Sequence, residues 1–203
     1  MKSMILVLKP EECRNLMNGI LSVLVRKQFP KDYVGWVYIY CTKGKPFLYY
    51  SFCRDVNFET TIGECEENYF ISKVKHKEIS EKDYVVRNLN GKVVARFWCD
   101  KVENIYIRKH SYCCDEFYYC TNTLEEDEIC KKSHLDNQQL QEYLGDSLGY
   151  AIHISKLEIF DKPKELGEFN RNIRFSNNAL ISSNVKKWLK LTKAPTNYCY
   201  VEG

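Results

Sequence analysis

Apolar and aromatic residues in this chain gather in short runs closed by turn residues, and that pattern limits the fold more than any other feature. Met4 to Leu8 stops at Lys9-Pro10, Gly35 to Thr42 stops at Gly44, and Lys92 to Trp98 follows Asn90-Gly91. Runs of this length, bounded this way, read as strands. None approaches the roughly 18 to 20 consecutive apolar residues that cross a bilayer. The N-terminal run is also too short for a signal sequence and lacks a small-residue cleavage site. No membrane partner is expected, and a cytoplasmic location is.

Proline biases the residue before it to extended backbone, so Met4 to Leu8 is a buried strand that ends at Lys9. Pro10 suits a first helical turn, Glu11 and Glu12 favour its dipole, and Cys13, Leu16 and Met17 repeat at helical spacing up to Gly19. Ile20 to Val25 is a second strand that delivers Arg26-Lys27 into a loop around Pro30. Phe47 to Cys53 is a further aromatic strand, and Asn90-Gly91 is a hairpin signal leading into Lys92 to Trp98 and Val102 to Ile107. Asp136 caps a helix that runs to Leu144 and stops at Gly145. Gly149 to Phe160 restores the strand pattern, Asp161 to Leu166 is a turn into a short helical piece, Asn184 caps a helix through Lys190, and Asn197 to Val201 is a last strand. Strands outnumber helices and stand at both ends, which predicts an α+β, partly closed mixed β-barrel with peripheral helices.

At 203 residues with 44% hydrophobic and 28% charged side chains, the chain fits a single domain, 1 to 203, with insertions at about 47 to 90 and 110 to 135. The net charge of +3 is too small for a protein that simply coats nucleic acid, so any phosphate binding must be local. Basic excess belongs to residues 1 to 60, which carry +4, against −2 for residues 61 to 135 and +1 for the rest. The ten cysteines are scattered and unaccompanied by an export signal, so most are expected to be reduced and buried.

Lys9 at a strand end, with Ser22, Arg26 and Lys27 on and after the next strand, would converge on one edge if those strands were neighbours. They form either an anion pocket, for which the Arg26 fork is suited, or a solvated rim. Trp36, Tyr38 and Tyr40 share one face of a strand, a stacking surface or a covered exterior, and Tyr40 and Thr42 lie toward its end as candidate pocket wall. Cys113, Cys114, Cys120, Cys130 and His134 are the best zinc candidates. Gaps of five and nine residues after the Cys-Cys pair fit no common finger spacing, however, so no metal is expected. His76, His110 and His153 have no acid or nucleophile at a telling spacing, and no catalytic role follows for them. No phosphate-binding glycine loop, Gly-x-Ser-x-Gly elbow or His-Glu-x-x-His element is present.

Several spans, in order, resemble the ASCH group of the PUA-like superfamily, especially its phage and bacterial members. They are Ile5 to Pro10, Asn18-Gly19 with Val25-Arg26-Lys27, Val37 to Lys43, Gly91 to Phe97 leading into Val102-Glu103, Tyr150 to Ile154, and the ending Leu191 to Val201. The resemblance implies a small β-barrel with a cleft beside the first helix and a role in binding RNA or a modified nucleotide. It directs the anion-pocket reading to Lys9, Ser22, Arg26, Lys27, Tyr40, Thr42 and Lys193. Some similar proteins hydrolyse N4-acetylcytidine with the pattern Gly-x-Lys-x-x-[Thr/Glu]-x-Arg. Here Gly19 to Arg26 places Leu21 and Leu24 at the two polar positions, and leucine can neither activate water nor polarise an amide. A non-enzymatic binding module is therefore the leading expectation. A modified-nucleoside hydrolase with relocated groups, and a protein-binding factor of the phage inhibitor type acting through the insertions, are the alternatives.

Overall fold

The computed structural model describes residues 2–44, 47–53, 61–65, 84–109, 117–173 and 187–202. The chain divides into two compact units, Met1–Arg14 with Val37–Arg96 and Glu158–Gly203, and Asn15–Trp36 with Phe97–Leu157. Among the described residues no helix is long and apolar enough to cross a membrane.

In the first unit, β1 (Lys2–Leu8) is hydrogen-bonded on both edges, antiparallel to β12 (Tyr198–Glu202) and parallel to β3 (Gly35–Cys41). A parallel neighbour cannot be reached by a tight turn, and the crossover starts with α1 (Pro10–Met17), which begins at the proline that stops β1. Met4, Ile5, Leu6, Val37 and Ile39 are fully buried, as the unbroken apolar runs require. β10 (Asn170–Ile173) extends the sheet between β12 and β11 (Lys187–Lys190). The helix expected from Asn184 is therefore corrected where it is described: Lys187–Lys190 is a strand whose Trp188 backbone pairs with Asn172.

The expected insertion contributes a separate three-stranded antiparallel sheet in which β4 (Phe47–Cys53) lies between β5 (Thr61–Cys65) and β6 (Tyr84–Asn88). Asn90-Gly91 accordingly does not close a hairpin between β6 and β7 (Val93–Lys109), because β6 pairs with β4 instead. Asn90 works as a connector. Its Oδ1 accepts from the Leu48 N–H at 2.7 Å and its Nδ2 donates to the Gly44 carbonyl at 2.7 Å. Gly91, at φ 78°, turns its N–H onto the Cys41 carbonyl at 2.8 Å, a conformation open to glycine without a steric cost.

In the second unit, β2 (Val23–Arg26) pairs antiparallel with the first half of β9 (Gly149–Lys164), and β7 pairs with β8 (Phe117–Cys120). Two helices, α2 (Glu126–Ser133) and α3 (Asn137–Leu144), close a core of Val23, Val25, Ile105, Leu124, Ile129, Leu140, Leu144 and Ala151. Asp136 caps α3 as expected, accepting from the Gln139 N–H at 2.7 Å while Gln139 accepts from the Asp136 N–H. The acidic run Glu125 to Glu128 is the start of α2, where carboxylates favour the helix dipole.

The class is α+β with a mixed sheet, but the expected barrel is not closed. The strand order β11-β10-β12-β1-β3-β7-β9-β2 is an open path, and among the described residues nothing pairs β11 with β2. Both end strands have four residues, and β2 is backed by α2, with the Ser22 N–H donating to the Lys132 carbonyl at 2.9 Å.

The expected break between two strands at Asp100 is absent, since β7 runs through it as one strand of 17 residues. On one face of it Phe97, Cys99, Glu103 and Ile105 are buried, and Lys101 in the same row is exposed. β9 likewise continues past Phe160 to Lys164, beyond the expected turn at Asp161, and is followed by a 3-10 turn at Leu166–Glu168. Lys156 in β9 adopts φ 46°. A β-branched side chain there meets the steric penalty of left-handed backbone, so Lys156→Val is expected to lower stability by about 1–2 kcal/mol in denaturant unfolding, while Lys156→Gly is expected to retain it.

Candidate functional site

The seven residues expected to line one cleft are distributed over both units. In the first unit, Lys9 is exposed after β1, with its N–H on Glu12 at 3.0 Å. The Thr42 N–H bonds the Leu8 carbonyl at 2.9 Å, and Lys193 is exposed between β11 and β12. Tyr40 is buried, and burial, followed by Cys41 and Glu165, pushes its hydroxyl pKa up. Of the two readings of the aromatic stripe, stacking surface or covered exterior, its burial fits the covered one.

In the second unit, Ser22 is exposed, but its carbonyl and N–H hold Ile154 and Lys132. Arg26 is buried and donates from Nη1 to the Val25 carbonyl at 2.7 Å. Lys27 lies 5.8 Å from the Tyr143 ring centroid. The convergence of Lys9 with Arg26 was expected from adjacent first and second strands. That adjacency is not what forms: β1 has β12 and β3 on its edges, and β2 pairs with β9.

What the second unit does gather is a group that spacing did not disclose. A cleft of about 380 Å³ is lined by Lys31 and Asp32 from the β2–β3 loop, Lys101 to Asn104 from β7, and Asn122 and Thr123 from the β8–α2 loop. At its wall Glu103 occupies a core position of β7 and is 6% exposed. A buried carboxylate is tolerated only with strong partners, and Glu103 has them from three segments. His153 Nε2 on β9 lies 2.7 Å from Oε2, Lys101 Nζ lies 3.1 Å from Oε2, and the hydroxyls of Thr123 and Thr121 donate at 2.8 and 3.3 Å.

Burial pushes the Glu103 carboxyl pKa up, but hydrogen bonds from Thr123, Lys101 and His153, with the Lys101 charge, outweigh it and hold it below its ordinary value. An ionised carboxylate only accepts, so His153 Nε2 carries the proton in this contact. The contacts from His153, Lys101 and Thr123 fall on Oε2, while Oε1 is met by Thr123 at 2.9 Å and Thr121 at 3.3 Å. With both oxygens engaged, Glu103 is an anchor for the cleft wall. Thr121 extends the anchor into the loop, because its Oγ1 accepts from the N–H groups of Thr123 at 3.1 Å and Leu124 at 2.8 Å.

The zinc candidates are placed apart by element: Cys120 in β8, Cys130 in α2, and His134 as the left-handed residue that ends α2. Cys113 and Cys114, like His76 and His110, lie outside the described residues. Among the described residues no three His, Cys, Asp or Glu side chains gather as a metal set. The Cys130 thiol, which lies 3.0 Å from Asn137 Oδ1, is pushed up to about 11 by burial and then by Glu126, Asp127 and Asp136, which opposes the thiolate that a metal requires.

No protein-family model matches the sequence, and no curated protein matches it. Among solved structures, the chain is similar to the crystal structure of ASCH from Zymomonas mobilis, at 14% identity and a TM-score of 0.46 over 93% of this chain and 87% of that one. It is also similar to a point mutant of that protein, at 14% identity and a TM-score of 0.44 over 82% and 77% of the two chains.

Because the folded Glu103 carboxyl titrates below its unfolded value of about 4.3, the stability it contributes is complete above that pH and is lost as pH falls through the folded value. Glu103→Gln is therefore expected to be less stable than the parent protein at pH 7. The difference should shrink on acidification below about pH 4.3, as read by thermal unfolding across a pH series.

Proposed function

We propose that this protein is a non-enzymatic binding module for RNA or a modified-nucleotide-like ligand, and that the cleft of the second unit is where the ligand sits. The observation that carries the reading is the lining. Asn104, Asn122, Thr123, Lys31 and Lys101 are among the residues that line a space of about 380 Å³, within the about 300–1,000 Å³ usual for small-ligand sites. Amides pair with base edges in both directions, and lysines meet phosphates as point charges. The resemblance of the sequence motifs to the ASCH group points to the same class of ligand.

A modified-nucleoside hydrolase is the second reading, favoured by the 2.7 Å contact between His153 and Glu103 beside the cleft, an acid-base pairing found in many active sites. The engagement of both Glu103 oxygens by protein donors weighs against it. Titration of a fluorescent single-stranded RNA, with cytidine and N4-acetylcytidine as competitors, separates the two. Binding without turnover, weakened at least threefold by Asn122→Ala, with Lys31→Ala reducing the salt slope by about one, is the expected result. Turnover of N4-acetylcytidine would replace the binding reading by the hydrolytic one, and the parent protein's failure to bind any of these ligands would remove both.

A further inference from the structure

We propose that Lys101 is the phosphate anchor of this cleft and that Glu103, buried behind it, is the positioning residue that holds the ammonium in place; this rests on the cleft being the ligand site. Lys101 is 45% exposed at its side chain while its partner Glu103 is 5% exposed. Its Nζ lies 3.1 Å from Glu103 Oε2 and 3.0 Å from Thr123 Oγ1. An ammonium has three N–H bonds, so these two contacts leave the third for a ligand in the cleft.

A lysine normally brings a flexible stem that must be ordered when it binds an anion. Here the ordering is done when the protein folds, because the contacts to Glu103 and Thr123 fix the head group in advance, and an ordered group binds at a lower entropic cost. The nearby negative charge would ordinarily repel an anion. Glu103, however, also receives hydrogen bonds from Thr121, Thr123 and His153, so its charge is shared among several donors, and it is buried where Lys101 is not. Lys31, exposed on the opposite loop of the same cleft, supplies a second cation, and Asp32 beside it is the one other acid in the lining. The group that suits two lysines with amides and a hydroxyl between them is a phosphate monoester or diester.

Two roles for Glu103 give opposite predictions. As a mere negative charge, its removal would tighten anion binding. As a positioning residue, its removal frees Lys101 and weakens binding. Calorimetric titration of the full chain with cytidine, cytidine 5′-monophosphate and inorganic phosphate tests this. The monophosphate is expected to bind at least tenfold more tightly than cytidine. Glu103→Gln and Thr123→Val are each expected to weaken the monophosphate at least threefold, and by a larger factor than they weaken cytidine. Thr123 is exposed, so its variant keeps the test informative should Glu103→Gln fail to fold, and it removes the Lys101 contact without changing charge.

Equal affinity for cytidine and its monophosphate would overturn the phosphate anchor and leave the cleft as a nucleoside site. Unchanged or tighter binding of the monophosphate by Thr123→Val would overturn the positioning role. Inorganic phosphate binding as tightly as the monophosphate would uphold the anchor and overturn the nucleotide as its source. No binding by any of the three would overturn this proposal together with the reading it rests on.

Discussion

A carboxylate set into an apolar row of a strand must find hydrogen bonds or lose its charge, and the second unit is arranged around that demand. Glu103 stands between the buried Cys99 and Ile105 in the inward register of β7, and its oxygens are met from β7, β9 and the β8–α2 loop. Two of the partners are themselves tied in elsewhere. His153 pairs in register with Val23, and Thr121 holds the two N–H groups that turn the chain toward α2. Removing the carboxylate would leave several polar groups without partners at once, which costs more than any single contact contributes.

The helices do for the other face what Glu103 does for the cleft. α2 and α3 bury Ile129, Leu140 and Leu144 against β2 and β9, and their ends are satisfied locally, by Asp136 with Gln139 and by the left-handed His134. With the helices capped, the β8–α2 loop between Cys120 and Glu126 is short and closed on itself, the Thr121 N–H returning to the Leu124 carbonyl at 2.8 Å. The cleft wall is thus made of bonded backbone, which suits a site whose side chains are set before a ligand arrives.

Much of this architecture was legible in the sequence wherever one residue type has one physical use. Pro10 stopped a strand and opened a helix, Asp136 and Gly145 bracketed α3, and the aromatic run at residues 47 to 53 became its own sheet. The errors arose where local and distant forces compete. The residues between Trp98 and Val102 do not read as strand, yet β7 runs through them, because Lys101 finds a charge partner in Glu103 on its own face and Asp100 lies on the opposite one. Asn184 suggested a helix, yet Lys187–Lys190 found a partner in β10. The Glu103 group was hidden for a related reason. Glu103 and His153 are fifty residues apart, and only strand pairing brings them together. The one local trace was Lys101 and Glu103 at alternate positions of a strand, on the same face.

The burial of the cysteines has its own consequence. Burial raises the thiols of Cys99 to about 12 and Cys130 to about 11, and those of Cys120 and Cys199 rise as well. Thiolate is the form that attacks disulfides and electrophiles, and these four side chains hold almost none of it at neutral pH. These four thiols are thereby slow to form disulfides or to take up an alkylating label, and their chemical inertness is a product of folding that would vanish on denaturation.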